Sequence, residues 1–150
     1  MLQFEAKNQY GHTPLITAAS RGHPEVLELL LMKGASIQAT NNSHNTPLHL
    51  AALLGHKAAV ELLLEKGAST EAKNEQGNTP LVSAAASGRT GVVGVLLAIC
   101  IQHLHMRIFR YVVPMHTSMA SPGLGTIDTT ENLIEEGYER VCRQLVHACI

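Results

Sequence analysis

The 150-residue chain contains no tryptophan, and tyrosine and phenylalanine bring its aromatic share to only 3%. A core without large aromatic rings has to be built from leucine, valine and alanine, which is typical of helical repeats. The three cysteines, an odd number placed late in the chain, argue against the disulfide framework of a secreted domain. We therefore interpret them as free thiols and expect an intracellular globular protein with one core.

Neither sign of charge is in excess, since 11 basic residues face 12 acidic ones. A balanced chain has no electrostatic basis for binding a nucleic-acid backbone, and we expect no such partner. The longest uncharged apolar run, residues 92–101, would span about 15 Å as a helix, half of what a bilayer needs. No integral membrane segment is therefore predicted. A membrane-surface role for residues 92–113 is less favoured than a repeat helix that runs into irregular chain.

The N-terminus has no basic region followed by an apolar stretch, so the sequence predicts no signal peptide. We expect a cytoplasmic location, with the nucleus as the alternative.

The sequence is dominated instead by an internal repeat. The tripeptide Thr-Pro-Leu starts at three positions spaced by 33 residues: Thr13, Thr46 and Thr79. The same period carries an Ala-Ala pair and then a glycine in every copy, and the first two copies also share Glu-Leu-Leu-Leu and Lys-Gly-Ala-Ser. A fixed period of this length indicates a supersecondary unit that buries its apolar face only by stacking on copies of itself.

Each copy has the signals of two helices. Threonine can cap a helix N-terminus and proline is favoured at the first helical position, so a short helix is predicted at each Thr-Pro. The glycine after the Ala-Ala pair ends that helix. A second helix follows, with leucine and valine on one side and charges on the other, and Gly34 and Gly67 stop it in the first two copies. The Ser-, Asn- and Gly-rich stretches that come next predict turns.

This pattern resembles the ankyrin-repeat family, whose 33-residue period carries Thr-Pro-Leu-His-x-Ala; the segment from Thr46 to Ala51 matches every specified position. The resemblance covers residues 1–98 and implies an all-α solenoid of helix-turn-helix repeats with hairpin finger loops. It places the end of a partial repeat at 1–7 and repeats at about 8–40, 41–73 and 74–100. Because the chain opens mid-unit, we favour a piece of a longer array over an end that Met1, Leu2 and Phe4 cover.

The tight-turn position of the implied fingers holds Gly11 and Gly77 in two copies but His44 in the middle one. Histidine tolerates positive φ less well than glycine, so we expect distortion in the middle finger. In the third copy, Gly91 and Gly94 each cost about 1 kcal/mol against alanine, which predicts a weak second helix.

After the third copy the repeat is lost. Residues 99–127 contain Pro114, Pro122 and two glycines, which predicts an irregular segment. Residues 128–150 predict an amphipathic C-terminal helix, since Asp128 and Glu131 form a capping box and apolar residues recur on one face. We expect this helix to fold back as a cap over the third copy.

Candidate catalytic or metal chemistry is sparse. Cys100, His103 and His105 are credible zinc ligand types, but their spacing matches no established site, and incidental side chains are the favoured interpretation. The serines lack a nucleophile elbow, and the glycines form no phosphate loop. The resemblance implies structural hydrogen bonds for three histidines: His23, His49 and His56. We expect no catalysis, cofactor or metal.

The resemblance implies a binding surface, because finger tips and the exposed sides of the first helices line one concave face in the family. Carried over residue by residue, the recognition positions are Gln9, Tyr10, His12, Ser20, Arg21, Asn42, Ser43, Asn45, Leu53, Leu54, Glu75, Gln76, Asn78, Ala86 and Ser87. Leu53 and Leu54 stand out, because the neighbouring copies have Ser-Arg and Ala-Ser there. With tyrosine and arginine nearby, we expect the leucines to anchor a partner. The alternative is that Leu54 packs inward between repeats.

The predicted function is therefore a protein-interaction module that binds another protein and performs no catalysis. Further ankyrin repeats of a longer array are additional candidate neighbours. One alternative is a truncated repeat remnant without a dedicated partner. A less favoured one is a metal-binding or redox protein that uses Cys100, His103 and His105.

Overall fold

The computed structural model describes the backbone of residues 4–117 and the side chains of residues 4–103. Within these limits the chain contains six helices and no strand. They are α1 (Pro14–Arg21), α2 (Pro24–Met32), α3 (Pro47–Leu54), α4 (Lys57–Glu65), α5 (Pro80–Ala86) and α6 (Thr90–Thr117). The predicted all-α class is confirmed. The predicted helix at 128–150 lies outside the described residues.

The three Thr-Pro segments adopt one conformation. Thr13, Thr46 and Thr79 have φ of −77, −79 and −82° and ψ of 165, 167 and 166°. Each Oγ1 accepts a hydrogen bond from the backbone N–H three residues further on, at 3.3, 3.3 and 3.4 Å. Each threonine thus caps the first helix of its copy, and the proline follows at the first helical position, as the sequence predicts.

The helices of successive copies stack on one another. The first helices pack side by side, α1 on α3 and α3 on α5, and the second helices α2 and α4 also pack together. One core cluster runs through all three copies, and its largest buried side chains are Leu15, Leu27, Leu48, Val60, Leu63, Val92 and Leu96. Burying one such side chain stabilises the fold by about 1.5–3 kcal/mol. Because neighbouring copies share this burial, each copy depends on the next for stability.

The finger loops, residues 8–12, 41–45 and 74–78, are each held by an asparagine. The Oδ1 atoms of Asn8, Asn41 and Asn74 each accept two hydrogen bonds, from the backbone N–H groups two and four residues on, at 2.9 to 3.1 Å. These asparagines are also spaced by 33 residues. The same local bond pattern therefore shapes every finger.

The expected distortion of the middle finger is wrong. His44 adopts φ of 57°, close to the 74° of Gly11 and the 77° of Gly77. Its N–H donates to the Asn41 carbonyl at 3.0 Å, and the glycines make the equivalent bonds at 2.9 Å. The two bonds to the Asn41 side chain hold the turn, so histidine is kept in the left-handed region despite its Cβ.

The predicted irregular segment at 99–127 is wrong as far as Thr117, because α6 continues to that residue. The Gly-Ala stop of the first two copies is absent, and no glycine or proline occurs between Leu96 and Pro114. The sequence therefore offers no residue at which this helix must end. Residues 118–127 lie outside the described residues.

Two compact units divide the chain. The first is Met1–Leu96 and holds the repeats; the second begins at Leu97 and is described here only to Thr117. None of the helices in residues 4–117 has both the length and the apolarity needed to cross a bilayer.

Candidate functional site

The predicted recognition residues all reach solvent. They lie on the fingers and on the ends of the first helices. Ten are exposed, namely Gln9, Tyr10, Arg21, Asn42, Ser43, Leu53, Leu54, Glu75, Gln76 and Ala86, and five are half-buried, namely His12, Ser20, Asn45, Asn78 and Ser87. We call these fifteen residues the recognition face.

Backbone hydrogen bonds join the tips of neighbouring fingers. The Asn42 N–H donates to the Tyr10 carbonyl at 3.2 Å, and the Glu75 N–H donates to the Ser43 carbonyl at 3.0 Å. The Asn42 side-chain amide also donates to the Gln9 carbonyl at 3.2 Å. The fingertip half of the recognition face is therefore a bonded row and not a set of independent loops.

Some half-buried members of the recognition face support the fingers. The Asn74 Nδ2 donates to Asn45 Oδ1 at 3.0 Å, and Asn41 Nδ2 lies 3.2 Å from His12 Nε2. The Asn78 carbonyl lies 3.0 Å from His49 Nε2. These bonds cross from one copy to the next, so His12, Asn45 and Asn78 position their neighbours in addition to reaching solvent.

Two adjacent leucines stand at the end of α3. Leu53 is 37% exposed and Leu54 is 42% exposed. The inward packing of Leu54, left open by the sequence, does not occur. The corresponding pairs are Ser20 and Arg21 at the end of α1, and Ala86 and Ser87 at the end of α5. The middle copy therefore presents apolar area where its neighbours present small or polar side chains.

The turns that follow the first helices are tied to one another. His56 Nε2 lies 3.0 Å from the Ser20 carbonyl, and Arg89 Nε donates to the Leu53 carbonyl at 3.1 Å. A carbonyl only accepts, so His56 carries its proton on Nε2. A Cβ at Gly22 would lie 2.5 Å from His56 Nδ1, which explains why glycine is required beneath the ring. Each copy thus places a donor, 33 residues apart, over the preceding turn.

His49 is buried, at 1% exposure, and closes the start of α3. Its Nδ1 lies 2.8 Å from Thr46 Oγ1 and 3.3 Å from the Thr46 backbone nitrogen. Desolvation lowers the pKa of His49 below its ordinary value, with the hydrogen bond to the Asn78 backbone acting in the opposite direction. The imidazole is thus kept neutral, with an acceptor toward its own copy and a donor toward the next.

The expected structural bonds form at His49 and His56 but not at His23, which is exposed and has no hydrogen bond among residues 4–103. Sequence reasoning missed Arg89 and the three finger asparagines. The 33-residue period places Arg89 level with His56 and contains all three asparagines, so the signal was available.

The first copy has a shallow depression of about 630 Å³, whose lining includes His12, Pro14, Arg21, Val26 and Leu30. Val26 is 46% exposed, whereas the equivalent Ala59 and Val92 are each 1% exposed. The depression therefore lies on the side that the second and third copies pack against their predecessors.

Residues 4–103 hold no cluster of three His, Cys, Asp or Glu side chains that could bind a metal ion. Cys100 and His103 fall in this part of the chain, while the side chain of His105 lies beyond it.

Comparison with family models finds ankyrin repeats along most of the described chain. A model of three ankyrin copies matches residues 37–107, and a model of many copies matches residues 1–51. Together they span residues 1–107 of 150. A comparison with curated proteins found no match.

Proposed function

We propose that this chain, which belongs to the ankyrin-repeat family, binds another protein through its recognition face and catalyses no reaction of its own. Ankyrin repeats generally mediate protein–protein interaction, and the family is typically non-catalytic. Function does not follow from fold alone, so the proposal depends on the surface that these repeats present.

The observation that carries the proposal is the exposed leucine pair. Leu53 and Leu54 stand on the middle copy, with a copy packed on either side through α1 and α5. Apolar side chains near the centre of a patch, surrounded by polar neighbours, are the usual anchors of a protein interface. The bonded fingers and stacked helices hold the surrounding side chains in place, which lowers the entropic cost of binding.

A paired substitution tests this proposal. The Leu53→Glu, Leu54→Glu variant places two charges at the centre of the recognition face. The matched control is Leu29→Glu, Met32→Glu, which changes two exposed apolar residues of α2, 56% and 76% exposed. Partners of wild-type protein and both variants would be compared by quantitative cross-linking mass spectrometry.

We expect the face variant to lose bound proteins that the wild type and the α2 control retain. All three proteins should have the same melting temperature, since every substituted side chain is exposed. Identical partner sets for wild type and face variant would overturn the proposal. So would equal losses in the two variants.

A further inference from the structure

Acidic residues are absent from one part of the repeat. The first helices and the turns after them, within residues 14–24, 47–60 and 80–103, contain no Asp or Glu. The seven acidic residues of the described side chains lie in α2, α4 and the loops, namely Glu5, Glu25, Glu28, Glu61, Glu65, Glu71 and Glu75. The helix half of the recognition face therefore carries no negative side chain.

Two arginines flank the leucine pair. Arg21 is one period before Leu54 and ends the neighbouring helix α1, which packs on α3. Arg89 reaches the pair directly, through the 3.1 Å bond from its Nε to the Leu53 carbonyl. The bond between His56 and the Ser20 carbonyl fixes the turn of Arg21 beside the turn of the leucines. The order along the stack is therefore arginine, leucine pair, arginine.

Neither guanidinium is neutralised within residues 4–103. Arg21 is exposed and has no hydrogen bond or ion pair there, and the only bond of Arg89 goes to a backbone carbonyl. Other cations of the repeats do have acidic partners: Lys57 lies 3.7 Å from Glu61, and Lys66 lies 3.3 Å from Glu28. An arginine has five N–H donors and prefers carboxylates that accept two of them.

From this charge pattern we propose that the partner presents a segment with one large apolar side chain between two carboxylates. The apolar side chain packs on Leu53 and Leu54, while the carboxylates pair with Arg21 and Arg89. The inference rests on the proposed function and adds the chemistry of the partner. Opposite charges around an apolar centre raise the association rate and disfavour basic partners by repulsion.

Labelled peptides of twelve residues test the inference by fluorescence anisotropy. One set has a central leucine or phenylalanine with glutamates at varied distances on both sides. A second set replaces the glutamates by lysine, and a third keeps the glutamates but has alanine at the centre. We expect the first set to bind at least about tenfold more tightly than the others, and to weaken as salt rises.

The variants Arg21→Gln and Arg89→Gln should each weaken binding of the acidic apolar peptides by about 3- to 30-fold. Lys33→Gln, which removes an exposed cation after α2, is the matched control and should leave affinity unchanged. Arg89→Lys keeps the charge and should recover part of the affinity that Arg89→Gln loses.

The inference is overturned if the lysine set binds as tightly as the glutamate set, if no set binds, or if a phosphodiester oligonucleotide binds more tightly. It is also overturned if neither arginine variant weakens binding. In that case, peptide binding that Leu53→Glu, Leu54→Glu abolishes would leave the proposed function standing. Partner capture unaffected by the leucine substitutions would remove both.

Discussion

At the residue scale, one position of the repeat does different work in each copy. Ile16, His49 and Val82 are equivalent by the 33-residue period. Ile16 is fully buried, Val82 is 46% exposed, and only His49 bonds both to its own helix start and to the next finger. The histidine therefore replaces part of the apolar contact between two copies with a directed polar one, at the cost of a titratable group in a buried place.

Protonation of His49 should make folding sensitive to acid. Because its pKa is lower in the folded chain than the ordinary 6.5, the unfolded chain binds a proton that the folded chain excludes. Its contribution to stability is full above pH 6.5 and falls as the pH drops below it, by at most about 1.4 kcal/mol per pH unit. His49→Ile, with the side chain of the first copy, should flatten this slope.

Urea unfolding of the wild type and His49→Ile at pH 7, 6 and 5 measures the effect. The variant should be less stable at pH 7, since it leaves the Asn78 carbonyl without its donor. Equal slopes with pH in the two proteins would contradict the prediction.

At the element scale, the fingers show how a local side-chain bond outweighs backbone preference. Each asparagine accepts two backbone N–H groups of its own loop, and these bonds close the turn whatever occupies the fourth position. In the middle finger that position is His44, with φ of 57°. A non-glycine residue in the left-handed region costs about 1–2 kcal/mol, so the middle finger keeps its shape under strain.

His44→Gly should therefore stabilise the fold. Relief of the left-handed strain exceeds the extra freedom of glycine in the unfolded chain, and the net gain is roughly 0.5–1 kcal/mol. Thermal and urea unfolding both report it. Ser43→Gly, an exposed neighbour without positive φ, is the control and should lose a few tenths of a kcal/mol. A loss of stability in His44→Gly would refute the strain at this position.

At the scale of the repeat unit, burial depends on a copy's place in the stack as well as on its sequence. Val26 and Val92 are both the third residue of a second helix, in α2 and α6. Val26 is 46% exposed and Val92 is 1% exposed, because only the third copy has a copy packed in front of it. Identical side chains at equivalent positions thus contribute differently to stability.

The same substitution at these two valines should have unequal effects. Val92→Ser removes buried apolar area and places a hydroxyl in the core, which costs about 2–3 kcal/mol. Val26→Ser changes a half-exposed side chain and should cost less than about 1 kcal/mol. Free energies of unfolding in urea give both values. Similar costs for the two variants would show that the depression on the first copy is covered in solution.

Much of the fold could be predicted because its signals are local. Thr13, Thr46 and Thr79 cap their helices with side chains that reach only three residues along the chain. The period then implies stacking, since the apolar stripe of each copy requires a neighbour. The fifteen recognition positions were also within reach of the sequence, because solvent exposure follows from place in the repeat, and all of them reach solvent.

The errors fall where the outcome depends on more than one local signal. The length of α6 depended on the absence of a stop, which weighs less in a sequence than the prolines further on. The shape of the middle finger depended on bonds to Asn41, which compete with the preference of His44.

The sequence by itself determined the helix starts, the period and the leucine pair, because each is set by residues close together in the chain. Only the tertiary structure decided that Leu54 faces solvent and that Arg89 lies beside Leu53. These facts depend on how neighbouring copies pack, and the 36 residues between Leu53 and Arg89 are brought to a 3.1 Å bond only by stacking. Packing between copies is thus what places two unneutralised arginines around an apolar centre.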